Sequence, residues 1–390
     1  MILISKRIGI ITSSFPAFEN DPSGAAGFFV KDFAILLSDK YSKIPILTPY
    51  RKNSNFNNPK FKVQFFRWLG QKYGFGALKH GGIDSFFRFL SALLSGSVTV
   101  LDFIKKNKID CCIAMWAVPS GIFALVGKFS LKTPYVVWCL GSDVWDVQNY
   151  PFGKFILKKV FKNANKIYAD GIELCKDVER ISGLPCTFLP SNRLLEKTEK
   201  PINYSYFDKS KINFIFLGRF HNNKGIDLLI QSIELLSKEE KEKTKFHIFG
   251  QGPLEDKIKK MVIDFGLTNI IINSWINEDE VFSYISKADY VIIPSRIESI
   301  PVVLANAIES RKPVLLTNVG DMGILAKRFH IGIISEPNSK SIAKGIQKII
   351  SIKNEDYLNY LKKMPEFEEY LSLKKSVQII SEYVETINKF

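Results

Sequence analysis

The stretch PSRIESIPVVLANAIESRKPVLLTNVG, residues 294–320, decides how the chain is read. It passes from a strand end through a loop carrying Glu298, into a helix, and out to a second strand at Val314–Thr317. A carboxylate in a loop beside a helix start suggests a ligand site. Eight positions on, inside the helix and facing the same way, stands the neutral amide of Asn306. The contrast of acid and amide needs a reason.

The same alternation extends outward in both directions. YVVWCL (135–140), FHIFG (246–250), NIIINSW (269–275), DYVIIPS (289–295) and PVLLT (313–317) are apolar runs that read as strands buried on both faces. Strands of that kind, alternating with helices, form parallel sheets, so doubly wound α/β packing is expected. Two regions begin alike. RIGIITSSF (7–15) is a strand, then a Gly/Pro-rich loop leads to a helix over 28–37; INFIFLGRF (212–220) is a strand, then HNNKG leads to a helix over 226–236. In the second helix Ile226, Leu229, Ile230 and Ile233 make one apolar stripe.

Two Rossmann-like domains follow, 1–190 and 211–370, joined by a polar linker at 191–210 with proline on its shoulders. An amphipathic helix over 371–390 comes after the second sheet is complete and is expected to pack back on the first domain. A length of 390 residues also favours two cores over one. Ligands of open α/β sheets bind at the carboxyl ends of the strands, so a cleft facing both sheets is the expected site.

Hydrophobic residues at 46% and charged residues at 24% are the balance of a globular chain. The five cysteines have no metal spacing and fit a reducing compartment better than a disulfide framework. Lys6 and Arg7 interrupt the N-terminal apolar stretch, which reads as a first strand and not a signal peptide. The longest uncharged apolar segment, 89–101, is shorter than the roughly 20 residues a bilayer span needs, and a cytoplasmic location is expected. The net charge of +15 points to nucleic acid, anionic membrane or phosphorylated ligands, or to a compositional bias towards lysine. No recognition motif for nucleic acid accompanies it.

The second domain carries the sharper chemistry. Gly218 ends a strand, and Arg219 and Lys224 follow in a short loop before a helix. An arginine fork, a lysine charge and a helix N-terminus together suit a phosphate, although solvated loop cations read the same way. Gly250 and Gly252 in GQGP permit close backbone approach, to a ligand or within a tight connection. Trp275 and Ile276 end the next strand, where backbone groups could read a flat base; a core tryptophan is the alternative. Pro301 suits the first helical position, leaving the N–H groups of Val302 and Val303 to favour an anion. Glu298 suits hydroxyl groups and Asn306 a diol such as ribose.

The ordered set LGRF, KGIDLLI, FGQGP, NSW and ADYVIIPSRIESIPVVLANAIESRKPVLLT resembles the donor-binding half of retaining glycosyltransferases of family 4, over most of residues 211–350. The resemblance implies the two-domain GT-B fold. It implies that Arg219 and Lys224 hold a nucleotide diphosphate, and that Glu298 opens the family's E-x7-E motif near the transferred sugar. The family's second glutamate, which holds ribose hydroxyls, is Asn306 here, and its small AxG is altered to Glu309 and Arg311. An amide still binds a diol but forgoes charge-assisted bonds.

The first domain is similar in its glycine-rich acceptor-side loop, where Gly24 and Gly27 keep backbone bulk from the donor. Positions where family members often carry histidine hold Met115 and Leu140, so no catalytic histidine is carried over. Asp143 is a candidate polar group in the cleft, or an aspartate satisfying its own turn. His80, His221, His247 and His330 are scattered, no acidic pair stands out, and neither metal nor cofactor is expected. Segment 60–108 interleaves Phe, Trp and Tyr with Lys and Arg, which suits either the edge of an anionic membrane or a buried crossover.

The expected activity is transfer of a sugar from a nucleotide-diphosphate sugar to a hydroxyl of a glycan or lipid-linked acceptor, with domain closure excluding water. Two other readings stay open: a partner subunit that binds sugar nucleotide or glycan without turnover, and a nucleotide-sugar epimerase of the same fold.

Overall fold

A computed structural model of the chain describes residues 6–19, 21, 27–71, 82–192, 202, 207–274, 276–277 and 280–387. The chain divides into two compact units, Met1–Leu194 with Ser372–Phe390, and Leu195–Leu371. Most of the expected linker lies outside the described residues.

The first unit runs β1 (Ile8–Thr12), α1 (Phe28–Tyr41), β2 (Ile44–Pro49), β3 (Phe61–Phe66), α2 (Ile83–Lys106), β4 (Cys111–Met115), α3 (Ser120–Leu131), β5 (Tyr135–Cys139), α4 (Ser142–Trp145), α5 (Gly153–Asn163), β6 (Lys166–Ala169), α6 (Ile172–Ser182) and β7 (Thr187–Phe188). Its sheet has the order β3-β2-β1-β4-β5-β6-β7, and every pair is parallel. β1, β4 and β5 are buried at every residue, which is why their sequences are unbroken apolar runs. Helices α2, α3, α5 and α6 cover one face and α1 the other.

The second unit runs β8 (Ile212–Leu217), α7 (Ile226–Glu234), α8 (Lys238–Glu242), β9 (Thr244–Phe249), α9 (Glu255–Asp264), β10 (Ile270–Asn273), α10 (Val281–Lys287), β11 (Tyr290–Ile293), α11 (Val302–Glu309), β12 (Val314–Thr317), α12 (Gly320–Phe329), β13 (Gly332–Ser335), α13 (Ser339–Ile350), α14 (Asn354–Leu361) and α15 (Met364–Tyr370). Its sheet order is β10-β9-β8-β11-β12-β13, again all parallel. The α7 stripe of Ile226, Leu229, Ile230 and Ile233 is completely buried. β10 departs from the expectation of burial on both faces: it is the edge strand, and all four residues are half-exposed.

The last helix, α16 (Leu373–Thr386), belongs to the first unit. Leu373, Val377, Ile380 and Val384 join Phe33 and Leu37 of α1 in one core. Ser376 Oγ donates to the Pro190 carbonyl at 2.9 Å and Tyr383 Oη to the Asn165 carbonyl at 2.6 Å.

One expectation is corrected by α2. The uncharged run was too short to span a bilayer, but the helix continues through Asp84 and Arg88, and residues 83–107 are long and apolar enough to do so, with mean hydropathy 1.5. Its inner side is nevertheless part of the core, through Ala92, Gly96, Val100 and Phe103.

His247, on the central strand β9, is fully buried and stacks on Phe207 with centroids 4.1 Å apart. Its Nε2 lies 3.0 Å from Asn213 Oδ1, an atom that only accepts, so the ring proton sits there. Burial, and secondarily the charge of Lys245, push the imidazole down to about 4. The unfolded chain therefore binds a proton between pH 6.5 and 4 that the folded chain does not, and stability is full above the unfolded value and lost as pH falls. Denaturant unfolding of wild type and His247→Gln across this range is expected to show an extra loss in wild type of about 3 kcal/mol, absent in the variant.

Candidate active site

In a doubly wound sheet the crevice opens where the strand order reverses. In the second unit that point lies between β8 and β11, and the loops leaving these two strands carry Arg219, Lys224 and Glu298. The loop after β8 is anchored by Phe220, which is fully buried. The Phe220 N–H donates to the Gln251 carbonyl at 2.9 Å, and the Leu254 N–H donates to the Phe220 carbonyl at 3.0 Å. A Cβ on Gly250 would lie 1.9 Å from the Gly218 carbonyl oxygen, and one on Gly252 would lie 2.6 Å from that of Phe220. These two glycines therefore serve the packing of one loop on the other. That is the tight-connection reading of GQGP. Gly218 is less confined, since a Cβ there would press on the Phe216 ring at 3.3 Å and meet no backbone among its nearest atoms.

The next turn brings the two loops together. Asn222–Lys224 form a single 3-10 turn, whose start is capped by His221 Nδ1 accepting from the Asn223 N–H at 3.3 Å. Gly225 follows at φ 65°, and a Cβ there would lie 1.9 Å from the Pro294 carbonyl oxygen at the end of β11. Two backbones approach at that distance only if the residue is glycine. The Arg296 N–H donates to the Asn223 carbonyl at 2.8 Å, and the Arg296 guanidinium donates to the Asn222 carbonyl at 2.8 Å. The same guanidinium grips both oxygens of Asp227, at 2.7 and 2.8 Å. Burial alone would raise the Asp227 carboxyl, but the hydrogen bonds and charge of Arg296 outweigh it and hold the group below the usual carboxylate range.

With the loops clasped, Lys224 Nζ forms an ion pair with Glu298. Both are partly enclosed, the side chains being 35% and 19% exposed. Glu298 is fixed from the other side as well: a Cβ on Gly320 would lie 1.9 Å from its carbonyl oxygen, and Ser299 Oγ donates to buried Asp321 at 3.2 Å. Arg219 is exposed and unpaired with Glu298 among the described residues.

Pro301 is the N-cap of α11 and not its first residue; the helix starts at Val302. The N–H groups of Val302 and Val303 fall in the first turn, without intrahelical acceptors. Val302 is 49% exposed, and Val303 and Asn306 are half-buried. Ile276 is half-buried, while Trp275 and Gly24 lie outside the described residues.

Comparison with known proteins fits this geometry. Residues 198–365 match the family described as glycosyl transferases group 1, and residues 77–171 match that described as glycosyl transferase 4-like. The chain is a GT4-like glycosyltransferase. It is 25% identical over 305 residues to an uncharacterized glycosyltransferase of Methanocaldococcus jannaschii, covering 77% of this chain and 82% of that one. It is 27% identical over 264 residues to the capsular polysaccharide biosynthesis glycosyltransferase CapH of Staphylococcus aureus, covering 64% and 71%. The fold is GT-B. Sucrose-phosphate synthase of Thermosynechococcus elongatus superposes with TM-score 0.76 at 14% identity, covering 97% of this chain and 98% of that one. The Anabaena protein HepE, solved with UDP and glucose, superposes with TM-score 0.68 at 13% identity, covering 98% and 100%.

In this glycosyltransferase Arg311, where the resemblance leads one to expect glycine, keeps a left-handed backbone at φ 54°. Its guanidinium donates to the Ile308 carbonyl at 3.0 Å and pairs with Glu368 at 2.7 Å, contacts that offset the strain. In the first unit, Gly27 packs on its own chain, since a Cβ would lie 2.9 Å from the Phe15 backbone. Asp143 is corrected as a catalytic candidate. It is 3% exposed and accepts from the Ala117 N–H at 2.5 Å and the Leu140 N–H at 3.0 Å, tying the loops after β4 and β5. Burial pushes its carboxyl up to about 6 against the pull of those bonds. Both oxygens are committed to backbone, so the turn-satisfying alternative holds. Among the described residues no three His, Cys, Asp or Glu side chains are placed to hold a metal.

Sequence reasoning missed Arg296 and Asp227. The available signal was Asp227 itself, an acid beside the apolar stripe, one residue after Ile226 in an otherwise apolar helix start. Arg296→Ala is expected to leave Asp227 buried and unpaired, lowering the stability of the second unit by about 2–4 kcal/mol in urea unfolding. Asp227→Asn, which keeps an acceptor, is expected to lose less.

Proposed function

We propose that the enzyme transfers a sugar, with retention of anomeric configuration and without a metal, from a nucleotide-diphosphate sugar to a hydroxyl of a glycan or lipid-linked acceptor. The observation that carries the reading is the Lys224–Glu298 pair beyond the carboxyl ends of β8 and β11. A cation and a carboxylate held side by side match the two ends of a sugar diphosphate. Lys224, with Arg219 on the same loop, faces the pyrophosphate and takes up the charge that develops as it leaves. The first N–H groups of α11, at Val302 and Val303, add positive potential from eight aligned residues. Glu298 accepts hydrogen bonds from sugar hydroxyls, and Asn306, able both to donate and to accept, binds the ribose diol.

The UDP and glucose bound by HepE support a nucleotide-sugar donor, and the relation to a capsular polysaccharide enzyme supports a glycan product. The odd cysteine count without metal spacing supports a cytoplasmic location.

A thermal-shift screen against UDP-, GDP- and ADP-sugars tests donor binding, where saturation at a hundred times Kd stabilises by about 2.7 kcal/mol. Arg219→Ala/Lys224→Ala is expected to lose that shift and to lower transfer at least about 10²-fold. Full transfer in the double variant overturns the mechanism. A donor shift in wild type with neither transfer nor donor hydrolysis overturns catalysis in favour of a binding subunit.

A further inference from the structure

Helix α2 is apolar on opposite sides. Ala92, Gly96, Val100 and Phe103 face the core, and Gly96 has no room for a side chain because a Cβ would lie 2.4 Å from the Phe123 ring. On the outer side Ile83, Phe86, Phe87, Leu90, Leu94 and Val98 are 78, 62, 54, 38, 63 and 73% exposed. Ile83, Phe87, Leu90, Leu94 and Val98 follow one another at three or four residues, with Phe86 beside Phe87, and so lie on one stripe along about four turns. A helix apolar on two faces needs cover on both, yet only the inner face of this one is covered by its own fold. An exposed apolar stripe of that length marks a docking surface.

The neighbouring helices say what docks there. Gly121 of α3 lies against Val160 of α5, where a Cβ would come to 2.6 Å, so α3 is held between α2 and α5 on the same side of the sheet. α3 and α5 contain no acidic residue. α5 presents Lys154, Lys158, Lys159 and Lys162 to solvent, beside Phe152 at 81% and Phe155 at 61% exposure. Lys159 Nζ sits 5.5 Å from the centre of the Phe155 ring.

We infer that the α2–α3–α5 face of the first unit binds the surface of an anionic lipid bilayer, with the α2 stripe in the interfacial layer and the α5 lysines on lipid phosphates. Aromatic and aliphatic side chains enter the boundary between headgroups and acyl chains, and lysines beside them gain from the negative surface potential. The inner face of α2 stays on the sheet, so the helix lies along the membrane and does not cross it. A second copy of the chain fits this face poorly, because pairing would set one cationic α5 against another. The surface uses none of the donor-site residues, and vesicle binding is read without donor or acceptor, so its outcome is separate from that of the proposed transfer.

The test is cosedimentation of the full chain with phosphatidylcholine vesicles, with and without phosphatidylglycerol, at low and high salt. Binding is expected only with phosphatidylglycerol and to weaken in high salt. Leu94→Glu/Val98→Glu and Lys158→Glu/Lys159→Glu are each expected to lower vesicle binding about ten-fold or more. Both variants alter exposed positions, so circular dichroism and thermal unfolding are expected to match wild type, and a variant that unfolds is replaced by Leu94→Ser or Lys158→Gln/Lys159→Gln. Absence of binding by folded wild type overturns the inference, as does binding that folded variants of both sets retain in full. Light scattering that shows a concentration-dependent dimer abolished by Leu94→Glu/Val98→Glu, with no vesicle binding, assigns the face to self-association instead.

Discussion

Everything at the candidate site rests on the grip of Arg296 on Asp227 and on the carbonyls of Asn222 and Asn223. The loops that leave β8 and β11 are far apart in sequence, and without a clasp each would sample its own conformations. The planar guanidinium satisfies a buried carboxylate bidentately and caps a 3-10 turn at the same time, two tasks a lysine cannot combine. Glycine at 225 and 320 removes the side chains that would hold the backbones apart. Lys224 and Glu298 are thus presented by a rigid scaffold although both stand on loops. Pre-set charges of this kind need little reorganisation when a charged ligand arrives.

The excess of basic residues takes on a location in the fold. Much of the exposed apolar surface lies on α2, α3 and α5, and lysines of α5 stand beside it, in the unit that does not carry the loops after β8 and β11. A compositional bias spreads lysine evenly over exposed positions and does not expose phenylalanine beside it. The unshielded stripe on α2 is the feature that composition alone leaves unexplained.

The central strands were legible because burial on both faces writes a continuous apolar run, as in YVVWC at β5 and YVII at β11. β10 misled because an edge strand in a parallel sheet can be as apolar as a central one while lying half in solvent. That Lys224 and Glu298 stand on loops after strands was legible, and the structure adds that they pair. Arg296 and Asp227 were not: an arginine in a loop reads as solvated, and no local pattern shows that its partner lies on another helix. Asp143 was ambiguous for a related reason. An aspartate in a turn after a strand has the same local sequence whether its oxygens face a substrate or the backbone of Ala117 and Leu140. The two-sided character of α2 was hidden because inward and outward aromatics share the same helical period.

The return of α16 to the first unit has a further outcome, in the order of events at the ribosome. Leu373, Val377, Ile380 and Val384 complete a hydrophobic layer whose other members include Ile8 and Phe33. All of the second unit is translated between those two contributions. The half of the protein that emerges first therefore matures last, carrying an uncovered apolar layer against α1 until synthesis has passed its partner, while the later half can close on its own contacts. During that interval the nascent chain is a natural client for chaperones that shield apolar surface.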